Sequence, residues 1–308
     1  MGDRTHHRRE RLRIIEEWSR TGVLAERRSL PVEQQFRDRV SRTGSRLFVP
    51  LGLAYSDDPW YNTQVSHLLE AYDALPHRPD LAFDSVWKVF ESTAVRTVAT
   101  RTGRRRNITE SLRYVSDHVA LDGAVFEAMT AEVPSQTCEY LFKKVVLEAA
   151  TEKGRRVGQR LTGGAQDATA AELRTFLDLA HAPGADLDAN RRRAMLLRRA
   201  LAGERLRIGA EEVLLSARAR SRLLLGGLLY TARNERYHGE SFSPFYSSTA
   251  SLKTYTHPHY LFLATYALVH LLWAQWEHPY SPHTEAVAEN VTENLREART
   301  LYGRHWLA

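Results

Sequence analysis

The 308-residue chain has one cysteine, five lysines and few recognisable strand signals. A lone Cys138 excludes an internal disulfide framework and any cysteine-based zinc finger, which suits a reducing compartment. The longest stretch free of Asp, Glu, Lys and Arg runs from Thr254 to Trp276 and still carries His257, His259, His270 and Gln275. A buried helix fits that stretch, and a membrane span does not. The charged segment Met1 to Arg13 lacks the apolar core of an export signal, so a cytoplasmic protein is expected. No P-loop, Rossmann glycine fingerprint, Gly-x-Ser-x-Gly elbow or EF-hand loop occurs, and there is no internal repeat, heptad run or low-complexity tract.

What is present is ordinary globular material, 43% apolar and 26% charged, with enough length for a substantial core. The formal charge is +6, and 38 of the 43 basic residues are Arg. A planar guanidinium suits phosphate recognition. A coding bias toward Arg would leave the same composition, so charge is consistent with a nucleic-acid partner without assigning one. Basic clusters fall at Arg101, Arg104, Arg105 and Arg106, at Lys153, Arg155, Arg156 and Arg160, and at Arg191, Arg192, Arg193, Arg198 and Arg199. Each reads as a solvated helix face, or, beside a cleft, as the salt-sensitive part of RNA binding.

Apolar residues recur at three- and four-residue spacing almost throughout, which predicts an all-α protein. Helices are expected over 8–20, 32–41, 60–74, 81–99, 108–129, 135–160, 170–180, 191–201, 210–237, 258–276 and 285–301, with an extended segment over 46–53. Residues 162–167 and 181–186 read as loops. A soft boundary at Leu75-Pro76-His77-Arg78-Pro79 separates a basic helical N-terminal region, 1–78, from a main helical body, 79–308.

One helix stands out. Leu215, Leu224, Leu225, Leu228, Leu229 and Ala232 form an apolar stripe, interrupted by Gly226 and Gly227. Each glycine costs about 1 kcal/mol relative to Ala, which makes sense where another helix comes close. Gly239 offers a left-handed C-cap, placing His238 where the helix dipole favours its protonated form. The next helix is apolar all round, which fits either a helix facing a second subunit on one flank or a deeply buried core helix.

Between them lies Tyr230-Thr231-Ala232-Arg233-Asn234-Glu235-Arg236-Tyr237-His238-Gly239. The bare Arg-to-His spacing is uninformative, since Arg113-Tyr114-Val115-Ser116-Asp117-His118 repeats it in mid-helix. Context distinguishes the later copy: Asn234 follows the Arg, Gly239 follows the His, an apolar helix leads in and a long apolar helix follows. In these features Leu223 to Trp276 resembles the R-x4-6-H region of HEPN domains, helical modules of many metal-independent RNases in toxin and antiviral systems. Phe83 to Glu91 resembles the first helix of such a domain, and about 100–220 then forms a long helical insertion, with extra helices before residue 79.

The resemblance implies a homodimer whose motif-bearing helices line a shared cleft, with RNA as substrate and no metal or cofactor. A toxin or defence effector, with an antitoxin or defence-system partner, is implied as well. Residues five apart on a helix point about 140° away from each other, so Arg233 and His238 of one regular helix cannot meet at one phosphate: either the helix frays at Tyr237 or two copies of the motif meet, and the resemblance implies the second. Under this reading His238 is general base or acid, Arg233 stabilises charge on the phosphoryl oxygens, and Asn234 holds the ring or the substrate. Arg236 is a candidate RNA-phosphate contact on a solvent-facing side that it shares with Glu235, and Glu91 is a candidate buttress for Arg233. Plainer readings stand beside these: Arg233 pairs with Glu91 or Glu240 to hold helices together, His238 is only a C-cap, or the module binds RNA, a nucleotide or a partner without catalysis.

Other groupings fall short. His257-Pro258-His259 and the run Glu277 to His283 sit at opposite ends of one helix, too far apart for a zinc site, and Pro258 reads as a first-turn residue. Asp57 and Asp58 are adjacent and followed by Pro59, which fits loop acids capping a helix at Trp60 better than a magnesium pair.

Overall fold

Short polar residues and prolines determine where the helices begin. The computed structural model describes residues 31–44, 47–118, 123–163, 167–181, 186–241, 243–246, 250–275 and 282–307, together with Arg9, Leu12, Arg13 and Ile15, so the helix expected over 8–20 lies almost wholly outside them. After α1 (Pro31–Thr43), the Asp58 carboxylate accepts the Trp60 N–H at 2.8 Å and starts α2 (Pro59–Ala74), as the adjacent acids suggested. Pro79 opens α3 (Pro79–Thr102), which Gly103 closes at φ 67°.

Several expected helices are shorter than their apolar patterns. The 108–129 stretch is α4 (Ile108–His118) and α5 (Ala124–Ala131), the latter starting after Gly123. The 135–160 stretch is α6 (Ser135–Phe142), a wide π turn (Lys143–Leu147), and then α7 (Glu152–Thr162), which Thr151 caps by accepting the Gly154 N–H. Asp167 and Asp186 cap α8 (Ala168–Ala180) and α9 (Leu187–Leu201) in the same way. Residues 210–216 are not helical. Gly209 turns at φ 64° between β1 (Leu206–Ile208) and β2 (Glu211–Val213), an antiparallel pair, and Ser216 then caps α10 (Ala217–Arg222). That hairpin is the only sheet among the described residues.

Helix α10 continues through a π turn (Leu223–Leu229) into α11 (Tyr230–Tyr237). A Cβ at Gly227 would stand 3.3 Å from Leu141 Cδ1 and 3.5 Å from Leu161 Cδ2, the close approach that the paired glycines implied. Arg160 of α7 uses this opening. Its Nε donates to the Gly226 carbonyl at 3.2 Å, and its Nη2 donates to Thr231 Oγ1 at 2.6 Å.

Helix α12 (Leu252–Gln275) starts six residues before Pro258, so that proline lies inside the helix and not at its first position. Apart from the half-buried His257 it is buried on every side from Tyr255 to Trp273, with α3 along it and α1, α5, α6 and α13 (Thr284–Tyr302) around it. Its all-round apolar surface is therefore covered by its own chain. The segment expected to be extended pairs with side chains and not with a sheet: Asn294 Oδ1 accepts the Val49 N–H at 2.8 Å, Asn290 Nδ2 donates to the Val49 carbonyl, and Tyr266 Oη accepts the Leu51 N–H. Phe36 of α1 and Tyr61 and Leu68 of α2 join the same hydrophobic core as α12, so the described part of 1–78 shares one core with 79–308. The architecture is all-α. Among the described residues no helix is long and apolar enough to cross a membrane.

Two core histidines carry a stability cost in acid. His259 and His270 are fully buried, and none of their ring nitrogens meets a hydrogen-bond partner among the described residues. Burial pushes His259 down to about 4 and His270 down to about 3. The unfolded chain binds these protons below pH about 6.5 and the folded chain does not, so stability is full above that pH and falls as the pH drops toward 4. Thermal melts should show a loss of about 2 kcal/mol per histidine between pH 7.5 and 5. His270→Leu should remove its share of that slope whatever it does to stability at neutral pH; an unchanged slope would contradict the assignment.

Candidate functional site

Helix α11 presents its charged residues in different directions. On one side Glu235 faces α6 and the π turn after it, pairing with Lys144 at 2.5 Å and accepting the Tyr140 hydroxyl proton at 2.9 Å. On another side Arg236 makes a two-pronged contact with Asp84 of α3, its Nε donating at 2.7 Å, and lies 3.4 Å from Asp80. Burial opposes the charge on Arg236 more than any single partner favours it, and the hydrogen bonds and charges of Asp84 and Asp80 together hold the guanidinium above its ordinary pKa. Burial likewise opposes ionisation of Asp80, yet the Arg78 hydrogen bonds together with the charges of Arg78 and Arg236 keep its carboxyl below the usual range. Glu235 and Arg236 thus do not share a solvent face, and Arg236 is committed to carboxylates of its own chain and not free for an RNA phosphate.

Arg233 is placed differently. It lines a cleft of about 610 Å³ formed by α3, the start of α2 and α11, and it is one of four cations there, with Lys88, Arg96 and Arg105. Among the described residues Glu91 is the only acid in the lining. Its Oε2 accepts the Trp87 indole N–H at 2.8 Å and faces Arg233 Nη2 at 3.3 Å, so the buttress contact exists. Arg233 Nη1 donates to Asn234 Oδ1 at 3.0 Å, its guanidinium carbon lies 4.2 Å from the centre of the Tyr237 ring, and its buried Nε has no hydrogen-bond partner among the described residues.

His238 ends the helix. Its N–H donates to the Asn234 carbonyl at 3.0 Å, Gly239 follows at φ 67°, and the residue is exposed. It does not line the Arg233 cleft. The structure therefore brings Arg233, Asn234 and Glu91 together, leaves His238 outside in the same chain, and turns Arg236 away. The earlier copy of the spacing is structural, since Arg113 Nη1 donates to the Gly163 carbonyl at 3.0 Å and His118 stacks on Tyr114. Its neighbour Arg222, 5% exposed, is clasped by Asp117 and Asp167. Among the described residues no group of three or more His, Cys, Asp or Glu is placed to hold a metal ion.

Arg105, from one of the basic clusters, does reach the cleft, whereas sequence reasoning missed the rest of the lining, above all Trp60, Trp87, Arg96 and Tyr237. Arg96 stacks on Trp60 with its guanidinium carbon 4.2 Å from the ring centre, and the Trp60 indole N–H donates to Ser92 Oγ at 2.9 Å. The available signal was the spacing of Lys88, Ser92 and Arg96, a polar i, i+4, i+8 edge on a helix that also gives Phe83, Val86, Trp87 and Phe90 to the core. Aromatic walls beside guanidinium groups, around a cleft of this size, suit a flat ring joined to an anion.

No protein-family model, curated protein or solved structure matches the chain.

The different settings of the two arginines predict different stability effects. Arg236→Ala would leave Asp84 without its two-pronged partner and the buried Asp80 with Arg78 alone, and should destabilise the protein by about 2 kcal/mol in urea unfolding. Arg233→Ala should cost about 1 kcal/mol. Equal losses would mean that Arg233 is as much a structural strut as Arg236.

Proposed function

We propose that this protein is a metal-independent endoribonuclease of HEPN type that cuts single-stranded RNA as a homodimer, in the role of a toxin or defence effector. The observation that carries the reading is Arg233, set among cations and aromatic rings in an open cleft, on the helix that ends in the exposed His238. Arg233 binds the scissile phosphate there and stabilises charge on its oxygens. His238 takes the proton from the ribose 2′-hydroxyl, the 2′-oxygen attacks phosphorus, and the bond to the 5′-oxygen breaks. That oxygen takes a proton from water as it leaves, giving a 2′,3′-cyclic phosphate and a 5′-hydroxyl, and the His238 imidazolium returns its proton to solvent. DNA, lacking the attacking hydroxyl, is spared.

The position of His238 outside the Arg233 cleft supports the two-copy form of the reading. A partner chain docked through the exposed end of α11 supplies the imidazole that one chain does not bring to its own phosphate site. The same observation favours a second reading, in which the cleft binds RNA or a nucleotide and performs no chemistry.

End-labelled single-stranded RNA incubated with the protein and EDTA separates the two. Cleavage leaving a cyclic phosphate is expected, with a rate loss of at least about 100-fold for His238→Ala. Mixing inactive Arg233→Ala and His238→Ala chains should restore about a quarter of the wild-type rate, because each mixed dimer holds one intact composite site. Binding without product supports the second reading, and cleavage by His238→Ala removes the proposed role of that residue.

A further inference from the structure

The Arg233 cleft does not end at α11. Its lining follows one face of α3 from Trp87 to Ala99, about 18 Å of helix, and then takes in Arg105 from the segment beyond Gly103. At this end Gly103 turns the chain at φ 67° and places Arg104, Arg105 and Arg106 in succession on an exposed loop with no acid between them. Arg104 and Arg105 have no carboxylate within 4.0 Å among the described residues, and Arg106 lies only against the Tyr114 ring, at 5.8 Å. Elsewhere many of this protein's arginines are engaged with carboxylates, including Arg220 with Glu127, Arg222 with Asp117 and Asp167, and Arg236 with Asp84. Three consecutive guanidinium groups without a carboxylate among the described residues, at the mouth of a cleft already lined by Arg96 and Arg233, leave their charge available to a polyanion.

We infer that α3 and the Arg104–Arg106 loop form a track for single-stranded RNA, extending the site proposed above beyond the scissile phosphate and resting on that RNA reading of the cleft. Flanking phosphates lie along Arg104, Arg105 and Arg106, and an unpaired base packs at the Trp60–Arg96 pair. Trp60 supplies the preference for nucleic acid over other polyanions. Its ring backs the Arg96 guanidinium, which also pairs with Asp58 at 3.6 Å, and its indole N–H is held by Ser92, so a base that stacks on the exposed side of Arg96 meets a flat cation steadied by an aromatic wall. An acidic peptide would use the arginines and gain nothing from the ring.

The test is fluorescence anisotropy with the full-length protein and a labelled 2′-O-methyl RNA 12-mer, which binds but cannot be cut, titrated over a range of KCl concentrations in EDTA. The triple variant R104A/R105A/R106A changes only exposed side chains. It should bind at least tenfold more weakly at 100 mM KCl, with the slope of log affinity against log salt reduced by about 2, the value for three phosphate contacts to a single strand. Trp60→Leu should weaken binding roughly tenfold with the salt slope unchanged. Trp60→Phe, which keeps a ring, should recover most of that loss; thermal melts of both variants confirm that the comparison is between folded proteins. An unaltered affinity and salt slope in the triple variant would overturn the track, as would equal competition by a poly-glutamate peptide of the same charge. Neither result bears on His238-dependent cleavage, and a failure of cleavage with the salt and Trp60 effects intact would overturn the catalytic reading and leave the track in place.

Discussion

The site depends on how α11 is held. Glu235 pulls one side of this two-turn helix onto Lys144 and Tyr140, and Arg236 pulls the other onto Asp84 and Asp80. These adjacent, oppositely charged residues point in different directions, as successive helical positions must, so together they determine the rotation of the helix about its axis. Arg233 then has one way to face. It enters the cleft beside Glu91 because its neighbours are already committed elsewhere.

The arginine-rich composition divides into two populations with different physics. Arg160, Arg220, Arg222 and Arg236 are largely buried and paired with carbonyls, hydroxyls or carboxylates, and they act as struts between helices. For such groups desolvation opposes the charge, and good geometry at two or more acceptors is what makes the burial tolerable. The other population, including Arg104 and Arg105, lies in water, where charge costs little and remains available to a polyanion. Net charge alone could not have separated the two.

Much of the helical layout was readable from the chain. Asp58 before Pro59, Pro79, and Gly239 after His238 each lie at the helix end that their chemistry implies, and the paired glycines do mark a close helix contact. Less legible were interruptions inside apolar runs. The hairpin over Leu206–Val213 rests on a single glycine turn, and the breaks near Gly123 and Thr151 rest on single capping positions inside runs whose apolar periodicity continues across them. For the site, local spacing picked out Arg233, and long-range charge pairing decided the rest: Glu91 joins Arg233 from 142 positions away, and Arg236 is taken by Asp84 from 152 positions away. Glu91 is among the partners expected for Arg233, but no local pattern announces Asp84, or the meeting of Trp60 with Arg96.

The wide turn over Leu223–Leu229 gives the motif an unusual dependence on chain length. Each residue of an α-helix advances the side-chain direction by about 100°, and a π turn absorbs an additional residue without ending the helix. Everything downstream of Leu229 is thereby rotated relative to Arg220 and Arg222, which are fixed by their own acids upstream. Removing one leucine or glycine from that turn would leave composition, charge and apolar stripe nearly intact, yet it would aim a different side chain at the cleft. The phase of this helix, more than the identity of any one residue in it, connects the buried scaffold to the open face.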